Sequence, residues 1–306
     1  MCALLMGGNS CIHDDIPTCP PMTIRIDVKD KNYFNVDEVE AETRRADNLP
    51  FRDYVPAVRW TLRDASTGET VASRSFYAVE GDQSVETVTF PEDLLFGKYV
   101  FTVWGTDGEP SSDAEGQQVE MHRSGAEGAD VYLTNDTIVY DSRHSDFTVS
   151  MERVKGKLVI EKVGIPEGYT LSDKSVDALF STVSREFEYA GVTSVAKSET
   201  LAGPDAVTRT ILAPSLTHGA STLSIQFRRP ALKDKGKGSI DNGADSGEEI
   251  STDEETLQPR PVNISMERNR ITALRYTWSP SARDFIIQVI VDGRWQTVYN
   301  LGLEED

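Results

Sequence analysis

Apolar and polar residues alternate along most of the chain. Met22, Ile24, Ile26 and Val28 are separated by Thr23, Arg25 and Asp27, a period of two that predicts a half-buried strand. Val58, Trp60 and Leu62 alternate with Arg59, Thr61 and Arg63. The turn-forming run Asp64-Ala65-Ser66-Thr67-Gly68 follows, and a strand resumes near Val71, so this stretch predicts a hairpin. Tyr99, Phe101 and Val103 alternate with Val100, Thr102 and Trp104, between Phe96-Gly97-Lys98 and Gly105.

The pattern restarts beyond about residue 150. Leu158 to Val163 reads as a strand stopped by Gly164-Ile165-Pro166-Glu167-Gly168, and Leu223, Ile225 and Phe227 alternate with polar residues. Val262, Ile264 and Met266 form another half-buried run. Phe285, Ile287, Val289 and Val291 alternate, Asp292-Gly293 turns, and Trp295 to Leu301 returns, a strong hairpin signal. Val176, Leu179, Phe180, Val183 and Phe187 would share a helical face. The β-branched and aromatic content of Leu179 to Tyr189 favours strand instead. Short strands broken by frequent turns predict an all-β chain of sandwiches. Two sets of strands lie on either side of 141–157. The expected division is therefore a leader (1–22), an N-terminal sandwich (23–150) and a C-terminal sandwich (151–306). Lys233 to Pro261 is rich in Gly, Ser and acidic residues and has almost nothing to bury. It is expected to be a flexible acidic loop within the second sandwich.

The 306 residues suffice for two cores. A net charge of -19 disfavours a nucleic-acid partner, because phosphate would be repelled. No apolar run is long enough to span a bilayer as a helix. All three cysteines, Cys2, Cys11 and Cys19, fall in the first nineteen residues, so the body has neither structural disulfides nor cysteine-based metal sites.

That clustering admits three explanations. A Cys11–Cys19 disulfide would close a tiny loop and stabilise little beyond it. His13 with two cysteines offers only three soft ligands, in a segment stiffened by Pro17 and Pro20. Processing accounts for more of the pattern. "ALLMGG" reads as the tail of a signal peptide and leads through small residues to Ser10-Cys11, where cleavage would leave Cys11 first in the mature chain. Bacterial lipoprotein signals end in this way, with diacylglycerol on the thiol and a further acyl chain on the new amino group. More than one chain gives firm anchoring. On this reading Cys2 leaves with the signal and Cys19 remains a lone thiol. Asp14 and Asp15 resemble the acidic surface-export signal of Bacteroidales lipoproteins.

No catalytic, cofactor or metal site emerges. The histidines at 13, 122, 144 and 218 are dispersed, with no HExxH, and no GxSxG elbow, P-loop or GxGxxG sits between a strand and a helix. Trp60, Trp104, Trp278 and Trp295 admit two readings, core packing or a sugar-stacking platform. Arg44-Arg45, in the polar loop "EVEAETRRADN", is either an ordinary exposed dibasic pair or a cut site for an arginine-specific protease.

Taken in order, "CIHDDIPTCP", "MTIRIDV", "VPAVRWTLRDASTGETV", "LLFGKYVFTVWG" and "MERVKGKLVIEKVG" resemble motifs of the fimbrium anchoring subunit family of Bacteroidales-type fimbriae, over most of residues 11–230. The resemblance implies two tandem transthyretin-like β-sandwich domains. It also implies a non-enzymatic lipoprotein, acylated at Cys11 and carried on the outer membrane. Such a protein holds the fimbrial shaft, helps set its length, and meets shaft subunits by strand-based assembly. Two alternatives stand beside it. One is a polymerising shaft or tip subunit matured by cleavage at Arg44/Arg45. The other is a surface glycan-binding lipoprotein.

Overall fold

The structure, a computed structural model, describes residues 20–108, 117–230 and 255–300. Ser10, Cys11, Cys19 and most of the acidic stretch lie outside the described residues.

Eight strands occupy the first half: β1 (Thr23–Val28), β2 (Ala57–Asp64), β3 (Thr70–Ala78), β4 (Glu86–Thr89), β5 (Gly97–Thr106), β6 (Gln118–Glu120), β7 (Val131–Tyr140) and β8 (Asp146–Arg153). All but β6 form one path in the order β3-β2-β5-β7-β8-β1-β4. β7 and β8 pair only at Tyr132↔Arg153 and Leu133↔Glu152. From there β7 continues along β5, and β8 runs parallel to β1, so the path folds into two layers. Between them lie Met22, Ile24, Ile26, Val58, Leu62, Phe101, Val103 and Met151, all at 0% exposure, as the alternation requires. The expected hairpin is β2–β3. Asp64 Oδ1 fixes its turn by accepting from the Ser66 and Thr67 amides at 2.8 and 3.0 Å.

The second half contains β9 (Gly156–Val163), β10 (Leu171–Leu179), β11 (Thr182–Ser184), β12 (Tyr189–Ala190), β13 (Thr193–Thr200), β14 (Ala206–Leu212), β15 (Ser221–Arg229), β16 (Glu255–Leu257), β17 (Val262–Ile264), β18 (Ile271–Ser279), β19 (Asp284–Val291) and β20 (Arg294–Asn300). One sheet runs β14-β9-β18-β19-β20, and a facing sheet runs β13-β10-β15, with β16 and β17 both on β15. The chain is all-β, with a single-turn helix, α1 (Phe51–Tyr54), and two short 3-10 turns among the described residues.

The segment around Val176–Phe187 is strand, as read. Ala178 and Phe187 take positive φ (58° and 61°), which no continuous helix permits. The C-terminal hairpin forms as expected, and its two-residue turn has φ 49° at Asp292 and 70° at Gly293, the left-handed pair that matches strand twist. The acidic stretch 233–261 departs from a uniform loop at its end. Glu255–Leu257 pairs with Phe227–Arg229, because Leu257 can pack on the second core and Glu255 can meet Arg229.

Two segments of the N-terminal half cross onto the C-terminal sheets. The first is a strap, residues 30–47, lying on the outer face of the β9/β18 sheet. Its Tyr33, Val36 and Val39 pack with Val159, Ile271 and Ala273. The second is the excursion 118–131, in which β6 pairs with β11 and Val119, Met121 and Val131 enter the second core. Trp104, on the face of β5 opposite Phe101 and Val103, is 1% exposed for the same reason: β5 ends inside that second core.

Candidate functional site: a leader pole, a clasped strap and an outer edge

β5 spans ten residues, or about 33 Å at ~3.3 Å per residue. Its Trp104 end meets the C-terminal core, and its Gly97 end pairs with Tyr140. The chain joins the first sandwich at this far end. The Pro20 carbonyl accepts from the Tyr140 hydroxyl at 2.7 Å, and Thr23 N–H donates to the Ser145 carbonyl at 2.8 Å. Whatever precedes Pro20 is thus attached at the pole opposite the C-terminal sandwich. β1 then runs toward the junction, where Val28 pairs with Met151.

At the junction Arg153, 4% exposed, gathers three segments. Its Nε donates to Asp130 Oδ2 at 2.7 Å, its Nη1 to Asn269 Oδ1 at 2.8 Å, and its Nη2 to the Tyr132 hydroxyl. Its backbone N–H donates to Asp30 Oδ2, and its guanidinium lies 4.1 Å from the centre of the Tyr33 ring. Asp130 and the neighbouring tyrosines hold the guanidinium in its charged form against the cost of burial. Lys155, fully buried, donates to the carbonyls of Met121 and Glu127 at 2.6 and 3.1 Å. His122 closes the excursion onto the residue that follows β14. Its Nδ1 faces the carbonyls of Ala126 and Glu127 and therefore carries the proton, while Nε2 accepts from Ala213 N–H at 2.8 Å. Burial and the nearby Lys155 push this imidazole down to about 3, so it is neutral at ordinary pH.

The strap carries Arg44 and Arg45, both exposed yet both bound. Arg44 forms a bidentate pair with Asp37, with Nη2 to Oδ2 at 2.7 Å. Arg45 exchanges two hydrogen bonds with the Asn32 side chain: its N–H donates to Oδ1 at 2.7 Å, and its carbonyl accepts from Nδ2 at 3.0 Å. Its guanidinium donates to the Asp53 carbonyl at 2.9 Å. Upstream, buried Asn35 pairs both ways with the Ile271 backbone at 2.9 and 2.8 Å, and Glu42 meets Lys157 and Arg209 at 2.7 and 2.6 Å. A protease needs several residues in extended form with the arginine side chain free, so this strap must peel away before it can be cut there.

β20 is the outer strand of its sheet. Ile287 pairs with Tyr299 and Gln288 with Thr297, so Val298 is an extra, bulged residue, 48% exposed. The far side of β20 offers unpaired backbone groups among the described residues.

The tryptophans do not converge. Trp60 lies edge-on to Phe90 in the first core at 5.3 Å. Trp104 sits in the second core, and Trp278 packs on Phe285 at 5.0 Å. Trp295 lies under Arg275 beside the strap. Four sites spread over three clusters make no shared stacking platform. Sequence reasoning missed the junction. Arg153 lies in the run "MERVKGKLVIEKVG", but Asp130 and Asn269 lie in none of the motifs read, and the burial of the Arg153 and Asp130 charges is what marks the site.

No protein-family model and no curated protein matches the chain. Solved structures do match. A Bacteroides ovatus protein described as an adhesin aligns with TM-score 0.56 and 13% identity, covering 96% of this chain and 98% of its own. A Bacteroides thetaiotaomicron protein described as an adhesin gives 0.55 and 12%, covering 93% and 100%. The fimbrial anchor protein Mfa2 of Porphyromonas gingivalis gives 0.47 and 11%, covering 92% and 100%. The likeness is one of fold: this chain has the two-sandwich fold of Bacteroidales adhesin-type proteins, in line with the resemblance carried by its sequence motifs.

Proposed function

We propose that the chain is a non-enzymatic surface lipoprotein that is acylated at Cys11 after cleavage at Ser10-Cys11, sits on the outer membrane, and anchors a fimbrial shaft. The observation that carries this reading is the polarity of the molecule. The leader joins at one pole and the C-terminal sandwich stands at the other, with β20 running outward along its edge from the junction, where Trp295 meets the strap and Arg153 is paired with Asp130. A base subunit needs that arrangement, with its tether toward lipid and its pairing edge toward the shaft. The division into a leader (1–22), a first sandwich (23–150) and a second (151–306) belongs to the same proposal. So do shaft subunits as partners, docking by strand pairing on β20.

The clasped Arg44-Arg45 supports an uncut chain, since cleavage there would separate Cys11 and β1 from everything beyond. One observation favours the competing shaft or tip reading. β1 lies alone between β4 and β8, so its removal would open a slot one strand wide. Two experiments decide. Cys11→Ser should move the protein from the membrane fraction to the soluble fraction, and retention at the wild-type level refutes lipid anchoring. Deletion of 294–306 should leave the protein on the membrane but shed fimbriae; undiminished attachment removes β20 from the mechanism. A mature N-terminus at Arg45 or Ala46 would establish the shaft or tip reading instead.

A further inference from the structure

The tether pole carries two large apolar side chains in water. Leu95 is 77% exposed and Phe96 43%, although their neighbours Phe90 and Leu94 are buried. These exposed residues sit on a braced turn. The Tyr99 hydroxyl donates to the Leu95 carbonyl at 2.6 Å, and Leu94 N–H donates to the Pro91 carbonyl. The Phe96 ring meets the Tyr140 ring edge-on at 4.9 Å, and the same Tyr140 holds Pro20. Phe90 N–H donates to the Met22 carbonyl, tying the turn to the incoming chain on its other side.

Leu95 and Phe96 therefore flank the point where the chain joins the fold. Cys11 lies nine residues before Pro20, a reach of at most about 30 Å. A lipid on Cys11 would keep this pole within that distance of the bilayer, facing it. Two exposed apolar groups held in that position are poorly placed in water and well placed at the boundary between headgroups and acyl chains. Exposed Glu92 and Asp93 on the same turn suit an electrically neutral headgroup layer.

We propose that the Leu95-Phe96 tip inserts into the zwitterionic interface of the membrane that holds the tether, seating the first sandwich with the C-terminal sandwich directed outward. The inference rests on acylation at Cys11. It makes the anchor a two-point contact, so that a pull on the far pole is borne by the first sandwich as well as by the lipid.

The test uses the full acylated chain in a Cys19→Ser background on phosphatidylcholine vesicles with brominated acyl chains. An environment-sensitive dye is attached at Leu95→Cys or, as the distal control, at Val298→Cys. Both positions are exposed, so folding is not at risk. The expected result is blue-shifted emission at 95, quenched by bromine several-fold more than at 298, with that difference lost when Phe96→Ser is added. Protein that floats with the vesicles while position 95 emits as 298 does overturns the tip and leaves the anchor standing. Protein that does not float removes the anchor reading and the tip together.

Discussion

Asn35→Ala should open the strap and expose Arg44-Arg45 to proteolysis. Asn35 is 6% exposed and its amide makes both hydrogen bonds of a strand partner to Ile271. The substitution deletes two bonds, each with a net value of about 1 kcal/mol, and leaves a buried N–H and C=O on β18 without those partners. The summed loss is about 2–4 kcal/mol. The apolar contacts of Val36 and Val39 would remain. If cleavage proceeds through local opening, its rate follows the open population, so ~1.4 kcal/mol per decade gives an acceleration of about 30- to 700-fold. The assay is native-state digestion with an arginine-specific protease, following the new N-terminus at Ala46, with the urea midpoint measured alongside. An unchanged cutting rate would refute the argument that Asn35 holds the strap. Cutting no faster than global unfolding alone allows, in the wild type and the variant alike, would refute the strap as a separately opening unit.

Two further outcomes follow from buried titrating groups. Lys162, with 0% side-chain exposure, has Glu199 as its ion-pair partner at only 3.9 Å, and burial pushes its amine down to about 7, with Lys174 and Lys197 adding to the shift and Glu199 opposing it. The unfolded chain holds that proton up to about 10.5, so stability should climb as pH rises from about 7 toward 10. Lys162→Met should flatten that climb and stabilise the fold at neutral pH by about 1–4 kcal/mol, because Glu199 keeps Lys174 at 2.8 Å and Lys197 at 3.2 Å; a destabilised variant in urea titrations counts against it. His122, lowered from 6.5 to about 3, contributes stability that is complete above 6.5 and is lost as pH falls toward 3, by up to about 1.4 kcal/mol per pH unit. His122→Gln should remove this acid-side slope. An identical pH profile in both proteins would show that Nε2 can accept a proton in the fold.

The alternation of Met22–Val28, Val58–Leu62, Tyr99–Val103 and Phe285–Val291 determined, by itself, that these residues form strands, and it marked the core-facing side of Met22–Val28, Tyr99–Val103 and Phe285–Ile287. A period of two leaves the chain only one way to hide its apolar side. Asp64–Gly68 and Asp292-Gly293 likewise carried their turns in their own chemistry, because those residues set local backbone angles. Partners at long range were decided elsewhere. Nothing in the first thirty residues says that β1 lies parallel to β8, since parallel pairing joins strands with no turn between them to encode it. The strap, the 118–131 excursion and the meeting of Arg153, Asp130 and Asn269 depend on one sandwich being present before the other can bury them. Trp104 shows the same limit from the opposite side. Its alternation places it on the face of β5 opposite Phe101 and Val103, and the second sandwich, packed against that end of the strand, turns that face into core too.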